Sequence, residues 1–390
     1  MAYDIKEFDE IRPYEAGEMK QAFNDLLNDR QFSVMLKGFV PWLPKSLRNG
    51  LLKLAFIGVK TPLDFQKRFM KPIVWHIIRK HTDGCTFEDK LLPTDKTLRY
   101  TFVSNHRDIV LDSAFLDVML VNAGYPTTVE IGIGDNLLIY PWIKRLVRMN
   151  KAFTVRRGLS LRETMAASQL MSRYIHYAVT QKHENIWIAQ REGRAKDSSD
   201  HTQDAVLKML AMGGDIKELN IVPLTISYEF DPCDSLKAQE FQQKRDNTNF
   251  KKSRQDDLDN MKTGIFGYKG HVHYNCAAPV NMWIDELADL PKTEWFKALA
   301  ERMDREIYRG YNLYPCNYIA LDELEGTQAY AKHYTQQDKD RFEQYLQGQL
   351  AKIKLPNKDE AFLRERMLTM YANPLRNYMK AGFALVNSEQ

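Results

Sequence analysis

Phe102-Val-Ser-Asn-His-Arg-Asp-Ile-Val-Leu-Asp-Ser113 is the stretch of sequence from which the fold can be read. A short apolar run, Tyr100 to Val103, stops at Ser104-Asn105, and an amphipathic segment follows at once. The spacing therefore predicts a strand handing over to a helix, with His106 at the junction. In α/β folds ligands bind in the crevice beyond the carboxyl ends of the strands, where a helix N-terminus offers free N–H groups and partial positive charge. Two carboxylates, Asp108 and Asp112, accompany His106 there, within about two helical turns.

Working outward, further β-rich runs are expected at Arg99–Ser104, Thr128–Gly132, Ala152–Arg156, Asn185–Ala189, Asn220–Tyr228 and His271–Ala277. Helix-length segments separate most of them, which implies βαβ units and an α/β domain with a largely parallel sheet over residues 96–285. Pro223 inside the fifth run implies an edge strand, a strand start or a bulge. The polar stretch from about Cys233 to Lys262 reads as a solvated helix or loop. Residues 1–95 read as helical with no strand alternation, and residues 286–390 as helical again, with helices at Trp295–Tyr308, Gln337–Ile353 and Glu360–Tyr371. Pro374 should end or kink the last of these.

A chain of 390 residues with 44% apolar and 11% aromatic residues can bury a sizeable core and is not disordered. Its net charge of +4 says less than where the cations cluster. Cys85, Cys233, Cys276 and Cys316 are scattered without C-x-x-C pairing, which fits reduced thiols in the cytoplasm. The polar, acidic start shows no signal peptide, and no apolar run approaches the ~18 residues of a spanning helix. Membrane contact is therefore expected to be peripheral, at the inner face of the cytoplasmic membrane. The segment 31–63 suits that role: it has no acidic residue, and Lys37, Lys45, Arg48, Lys53 and Lys60 interleave with Trp42, Leu47, Leu51, Leu54 and Ile57. An ordinary helix packed on the domain has the same periodicity.

The residues that can carry chemistry stand at the predicted strand ends. His106 can take a proton from a substrate hydroxyl if a carboxylate fixes its tautomer and stabilises the imidazolium. Asp108, three residues after Asn105, suits a variant capping box, whereas Asp112, embedded among Val110, Leu111, Ala114 and Phe115, has no such structural task. Lys151-Ala-Phe-Thr-Val-Arg-Arg157 places two arginines at a strand end, suited to gripping phosphate or carboxylate. From Asn136 to Arg162 there are seven Lys and Arg and no acid, a field that attracts anions. Ile186-Trp-Ile-Ala-Gln-Arg-Glu192 leads into Gly193, Arg194 and Lys196, where a glycine lets backbone approach a ligand and cations surround a carboxylate. His271 and His273 share one strand face, but no third ligand stands nearby, so no metal site is read there.

Taken in order, Asn-His106 with a following Asp, Phe-Thr-Val-Arg-Arg157, Glu192-Gly193-Arg194 and Val222-Pro223 resemble the motifs of the glycerolipid acyltransferases, chiefly the glycerol-3-phosphate and lysophosphatidate enzymes. The resemblance covers residues 98 to about 280 and leaves both helical flanks outside it. Two departures stand out. Five residues separate His106 from Asp112 where the family has four, and Arg194 follows Gly193 directly where the family has a small residue between them. A one-residue change rotates a helical side chain by about 100°, so Asp112 can partner His106 only if the helix starts late or carries a bulge. Otherwise Asp108 takes that part.

The resemblance implies a glycerolipid acyltransferase-like core that moves a fatty acyl group from acyl-CoA or acyl carrier protein to the hydroxyl of glycerol 3-phosphate or a lysophospholipid such as lysophosphatidate. His106 would be the base, oriented by Asp112 or Asp108. Arg157, with Arg156 and Arg194, would hold phosphate, Lys196 sharing Arg194's duty. Glu192 and Gly193 would position the acceptor. Helix-start N–H groups with Arg107 would meet the oxyanion. No metal or organic cofactor is implied, since the thioester supplies the leaving group. Two alternatives remain: O-acylation of a lyso-aminolipid (an ornithine or glycine lipid), or a non-catalytic lipid- and membrane-binding module. Nucleic acid is not expected as a partner, because no reader motif accompanies the cations.

Overall fold

The computed structural model describes residues 3–39 and 41–383; residues 1–2, 40 and 384–390, which belong to the N-terminal region, the 31–63 segment and the C-terminal region of the sequence reading, lie outside it. Seven strands form one mixed sheet: β1 Gly84–Glu88, β2 Thr101–Ser104, β3 Val129–Gly134, β4 Ala152–Val155, β5 Asn185–Ala189, β6 Ile221–Tyr228 and β7 His271–Cys276. Their order across the sheet is β1-β7-β6-β2-β5-β3-β4. The five from β6 to β4 run parallel, while β7 pairs antiparallel with β6 and carries β1 parallel to itself. β2, and so the start of the His106 segment, lies at the centre.

Both faces of this sheet are covered, which is why its central strands read as continuous apolar runs. Alternation sends Phe102, Trp187 and Val222 to one face, packed with Leu116 and Leu120 of the Leu111–Asn122 helix and with Val74 and Ile78. The same alternation sends Val103, Ile186, Ile188 and Ile221 to the other face, against Tyr174, Ile175 and Ala178 of the Leu161–Thr180 helix and Leu299 and Met303 of the Lys292–Arg309 helix.

The structure corrects or narrows five sequence expectations. Residues 1–95 are not wholly helical, because Gly84–Glu88 forms edge strand β1; it is half-buried, with only Cys85 and Phe87 apolar, and shows no apolar run. Pro223 is not on an edge: it lies third in β6, between β2 and β7. Its carbonyl accepts from Ala277 N at 2.9 Å, just beyond the last paired residues Leu224 and Cys276, so its missing N–H costs only the reciprocal bond at the end of that ladder. The polar 233–262 stretch is two helices, Asp234–Asp246 and Arg254–Phe266, and the first is far from solvated, with Asp234, Lys237, Glu240 and Gln242 buried. Pro374 does not end its helix, which continues from Glu360 to Lys380 because Leu375 and Asn377 are packed inside. Asn317 Nδ2 donates to the Tyr371 carbonyl at 2.8 Å, on the turn that Pro374 disturbs. A helix at Pro315–Glu325, which the sequence reading does not contain, joins Gln336–Lys352 and Glu360–Lys380 around Leu321, Phe342, Leu346 and Leu363.

The 31–63 segment has two apolar faces. Phe32 and Val59 are buried and Leu36, Leu52 and Phe56 packed against the Met19–Asn28 and Pro141–Met149 helices, with Phe56 stacked on Phe23. Trp42 (77% exposed), Leu47, Leu51, Leu54 and Ile57 (70% exposed) face outward. Among the described residues no helix is long and apolar enough to cross a membrane.

Candidate functional site

His106 lies in irregular backbone between β2 and the helix that begins at Leu111, so helical spacing does not govern it. Asp112, second residue of that helix and wholly buried, points back toward the strand end. Its Oδ2 lies 2.8 Å from His106 Nδ1 and accepts the N–H groups of Arg107 at 2.7 Å and Asp108 at 3.1 Å. The late helix start thus brings Asp112 to His106 across a five-residue gap. Because the carboxylate is the acceptor, Nδ1 carries the proton and Nε2 presents its lone pair. The ring stands edge-on to Trp187, 5.6 Å between centroids. It is partly open, its side chain 15% exposed.

Asp108 has the other role. Its Oδ1 accepts from Val110 N and Leu111 N, both at 2.8 Å, and so caps the helix. Burial, reinforced by the Asp112 charge, raises its carboxyl above the ordinary value. Gly264 packs directly on it: a Cβ there would lie 2.0 Å from Asp108 Oδ2. Asn105 does not form the expected capping box. Its side-chain amide instead extends the sheet, donating to Ile226 O at 2.9 Å and accepting Ile226 N at 2.8 Å.

The oxyanion expectation is narrowed. The N–H groups of Arg107, Asp108, Val110 and Leu111 are taken by Asp112 and Asp108. The Arg107 guanidinium turns inward, donating to Asp231 Oδ2 at 2.9 Å. Lys237, 1% exposed, pairs with the same oxygen. Burial pushes the Asp231 carboxyl up, but Lys237 and Arg107 together overcome it and hold the group below its ordinary value. This ion cluster fixes the backbone from which His106 projects, since Lys237 Nζ also reaches the Arg107 carbonyl at 3.4 Å.

The remaining strand-end residues divide. Arg157, just beyond β4, stands 3.7 Å from Glu192, just beyond β5. Gly134 at the end of β3 makes room for it, a Cβ there falling 2.8 Å from Arg157 Nε. Arg156, one residue earlier, leaves this group and pairs with Glu10. Gly193 adopts φ +69° in the turn, a conformation that favours glycine. Arg194 and Lys196 turn toward the polar helices, Arg194 donating to Asn260 at 2.9 Å and Lys196 pairing with Glu240. The structure thus joins His106, Asp112 and Asp108 in one unit and Arg157 with Glu192 in another, both at the carboxyl edge of the parallel strands. It places Arg156 elsewhere and gives Arg107, Arg194 and Lys196 internal partners.

Asp231, Lys237, Asn260, Gly264 and Asp200 belong to this neighbourhood and are absent from the sequence reading. Asp200 is fully buried, and burial pushes its carboxyl up to about 6, with Arg107, His106, Arg191 and Lys237 opposing. His271 and His273, the pair weighed as metal ligands, have other partners, Tyr314 OH at 3.1 Å and Thr86 Oγ1 at 2.7 Å. Among the described residues no group of three or more His, Cys, Asp or Glu side chains stands close enough to hold a metal ion.

Chemically, the arrangement supplies a proton acceptor of fixed tautomer, backed by a buried carboxylate, and, at another strand end on the same edge of the sheet, an arginine able to bind an anion. The chain matches no family model, and comparison with curated proteins gives no match.

Proposed function

We propose that the chain is an O-acyltransferase of the glycerolipid type, moving a fatty acyl group from acyl-CoA or acyl carrier protein to the hydroxyl of glycerol 3-phosphate or a lysophospholipid. The observation that carries this reading is the His106 Nδ1 to Asp112 Oδ2 contact of 2.8 Å at the end of the central strand, which leaves Nε2 to meet a hydroxyl. As the acceptor oxygen attacks the thioester carbonyl, Nε2 takes its proton. The tetrahedral intermediate then collapses with cleavage of the C–S bond, and the imidazolium returns the proton to the departing thiolate. Asp112 stabilises the imidazolium between the two steps. No serine nucleophile is required, because the acceptor hydroxyl attacks directly.

In this reading Arg157 binds the acceptor's phosphate. Its contact with Glu192 is long, 3.7 Å, and its side chain is one-third exposed, so an incoming dianion can compete for the guanidinium. Arg156, committed to Glu10, is left out of this role.

Delivery of a lipid acceptor fits the outer face of the N-terminal helices. On the Lys45–Ala55 helix the exposed Leu47, Leu51 and Leu54 form one stripe, extended by Trp42 and Ile57 and flanked by exposed Lys45, Lys53 and Lys60. Such a face lies on an anionic lipid surface with the leucines in the acyl boundary and the lysines on head groups.

The deciding assay follows the acyl group by mass spectrometry with glycerol 3-phosphate, lysophosphatidate and a lyso-aminolipid as acceptors, each with acyl-CoA and acyl carrier protein as donor. Transfer to a phosphate-bearing acceptor is expected. Transfer to the aminolipid alone would move Arg157 to a carboxylate, and no transfer in any combination would leave a lipid-binding module.

A further inference from the structure

Buried polar atoms without partners are not spread evenly through this protein. Between Gln190 and Asp200, the segment that leaves β5 beside the His106 loop, such atoms fall at Gln190 Nε2, Arg191 Nε, Arg194 Nη1, Ser198 Oγ and both carboxylate oxygens of Asp200. Asp112 Oδ1, in the His106 unit, is also unpartnered. Buried polar groups are ordinarily satisfied, so a run of unsatisfied ones marks a place where something else supplies the bonds.

Asp200 is the most demanding of these groups. It is 0% exposed, and neither oxygen accepts a hydrogen bond. The loop around it is held by hydrogen bonds of its backbone and neighbours, so the unpartnered side chain belongs to an ordered segment and not to a loose one. Tyr308 OH donates to its carbonyl at 2.6 Å, Thr202 N to Asp304 Oδ1 at 2.8 Å, and Gln190 N to the Ser104 carbonyl at 2.8 Å. Ser198 takes the left-handed conformation, φ +61°, at the turn before it.

The chemistry of the unpartnered atoms is specific. The unpartnered atoms of Gln190, Arg191 and Arg194 are donors, suited to an anion. A carboxylate among them is an acceptor and repels a phosphate. What it binds is a donor on the ligand, and in a site already rich in arginine that donor is a hydroxyl. Glycerol 3-phosphate carries two hydroxyls. One reacts at His106 Nε2, and the other is free to bind elsewhere.

Resting on the acyltransferase reading, we infer that Asp200 is a substrate-binding residue that accepts the hydrogen bond of the non-reacting hydroxyl of glycerol 3-phosphate and thereby presents the reacting one to His106. A site built to receive a hydroxyl penalises an analogue that lacks it, because the buried carboxylate is then left unpaired.

The test is calorimetric titration of the full chain with glycerol 3-phosphate and with 3-hydroxypropyl phosphate, which has the reacting hydroxyl and the phosphate but not the second hydroxyl. Wild type is expected to bind the analogue at least about tenfold more weakly. Asp200→Ala is expected to bind both alike, and Asp200→Asn, which keeps one acceptor oxygen, to retain part of the preference. Equal affinities in wild type, no binding of glycerol 3-phosphate, or a preference unchanged in Asp200→Ala each overturn the assignment. If Asp200→Ala does not fold, the wild-type comparison and Asp200→Asn still decide. Acyl transfer is measured on the same preparations: turnover without discrimination removes Asp200 and keeps the transferase, whereas discrimination in binding without turnover keeps Asp200 and removes the transferase.

Discussion

Asp112 Oδ2 holds His106 Nδ1 at 2.8 Å with the same oxygen that accepts the Arg107 and Asp108 N–H groups. One carboxylate thereby sets both the imidazole's tautomer and the backbone that carries it, while Asp108 caps the following helix. The two aspartates should separate by experiment. Asp112→Ala is expected to lower kcat by about 10²- to 10⁴-fold. Asp108→Ala is expected to cost about 1–2 kcal/mol of stability, as the loss of a helix cap does, with kcat changed less than about tenfold. Steady-state rates beside urea denaturation curves check both; the reverse pattern would exchange their roles.

Asp231 accepts from Arg107 at 2.9 Å and pairs with Lys237, all three buried. Removing the one anion strands two cations. Asp231→Ala is therefore expected to destabilise the protein by about 3–5 kcal/mol, read as a fall in the urea midpoint. Lys237→Met, which leaves the Arg107–Asp231 pair intact, should cost clearly less.

The exposed stripe on the Lys45–Ala55 helix makes a separate prediction. Leu51→Glu with Leu54→Glu is expected to weaken sedimentation with anionic phosphatidylglycerol vesicles by about 10²-fold or more, since each leucine contributes about 1.5–3 kcal/mol when buried in lipid. Both positions are more than half exposed, so the melting temperature should be nearly unchanged. Wild-type binding should also weaken as salt rises.

Asp234 anchors the C-terminal helices to the site. It accepts from Tyr371 OH at 2.7 Å and Gln349 Nε2 at 2.6 Å, and burial, with Asp231 nearby, pushes its carboxyl up to about 7. A folded-state pKa above the unfolded value means that the folded protein holds this proton more tightly. The stability so contributed is full below about pH 4 and is lost as pH rises through about 7. Urea denaturation should accordingly show stability falling over that interval, and Asp234→Asn should flatten the slope. A wild-type slope that survives the substitution unchanged would assign it to other carboxyls.

How much of this was legible in the sequence depends on how local the governing physics is. β5 is legible to the residue, Asn185–Ala189, because a strand covered on both faces is apolar from its second residue on. β1 is not legible, because a half-buried edge strand with few apolar residues has no such run. His106 and Asp112 stood out by residue type, but their contact depends on where the helix begins, and the Asp108 bonds that set this are backbone geometry. Asp231 and Lys237 were hidden for another reason. Polar residues buried by pairing look the same in sequence as polar residues in water, so the stretch carrying Lys237 read as a solvated insert. Arg156 and Arg157 are adjacent, and only the paths of their side chains show that Glu10 takes one and Glu192 the other.

The central claim is that His106 Nε2 takes the acceptor's proton. Its most direct test is single-turnover acyl transfer to glycerol 3-phosphate by wild type and His106→Ala, with acceptor binding and melting temperature measured on both. The expected result is a rate lowered by about 10³-fold or more, with binding and stability little changed. Transfer by His106→Ala at the wild-type rate would contradict it.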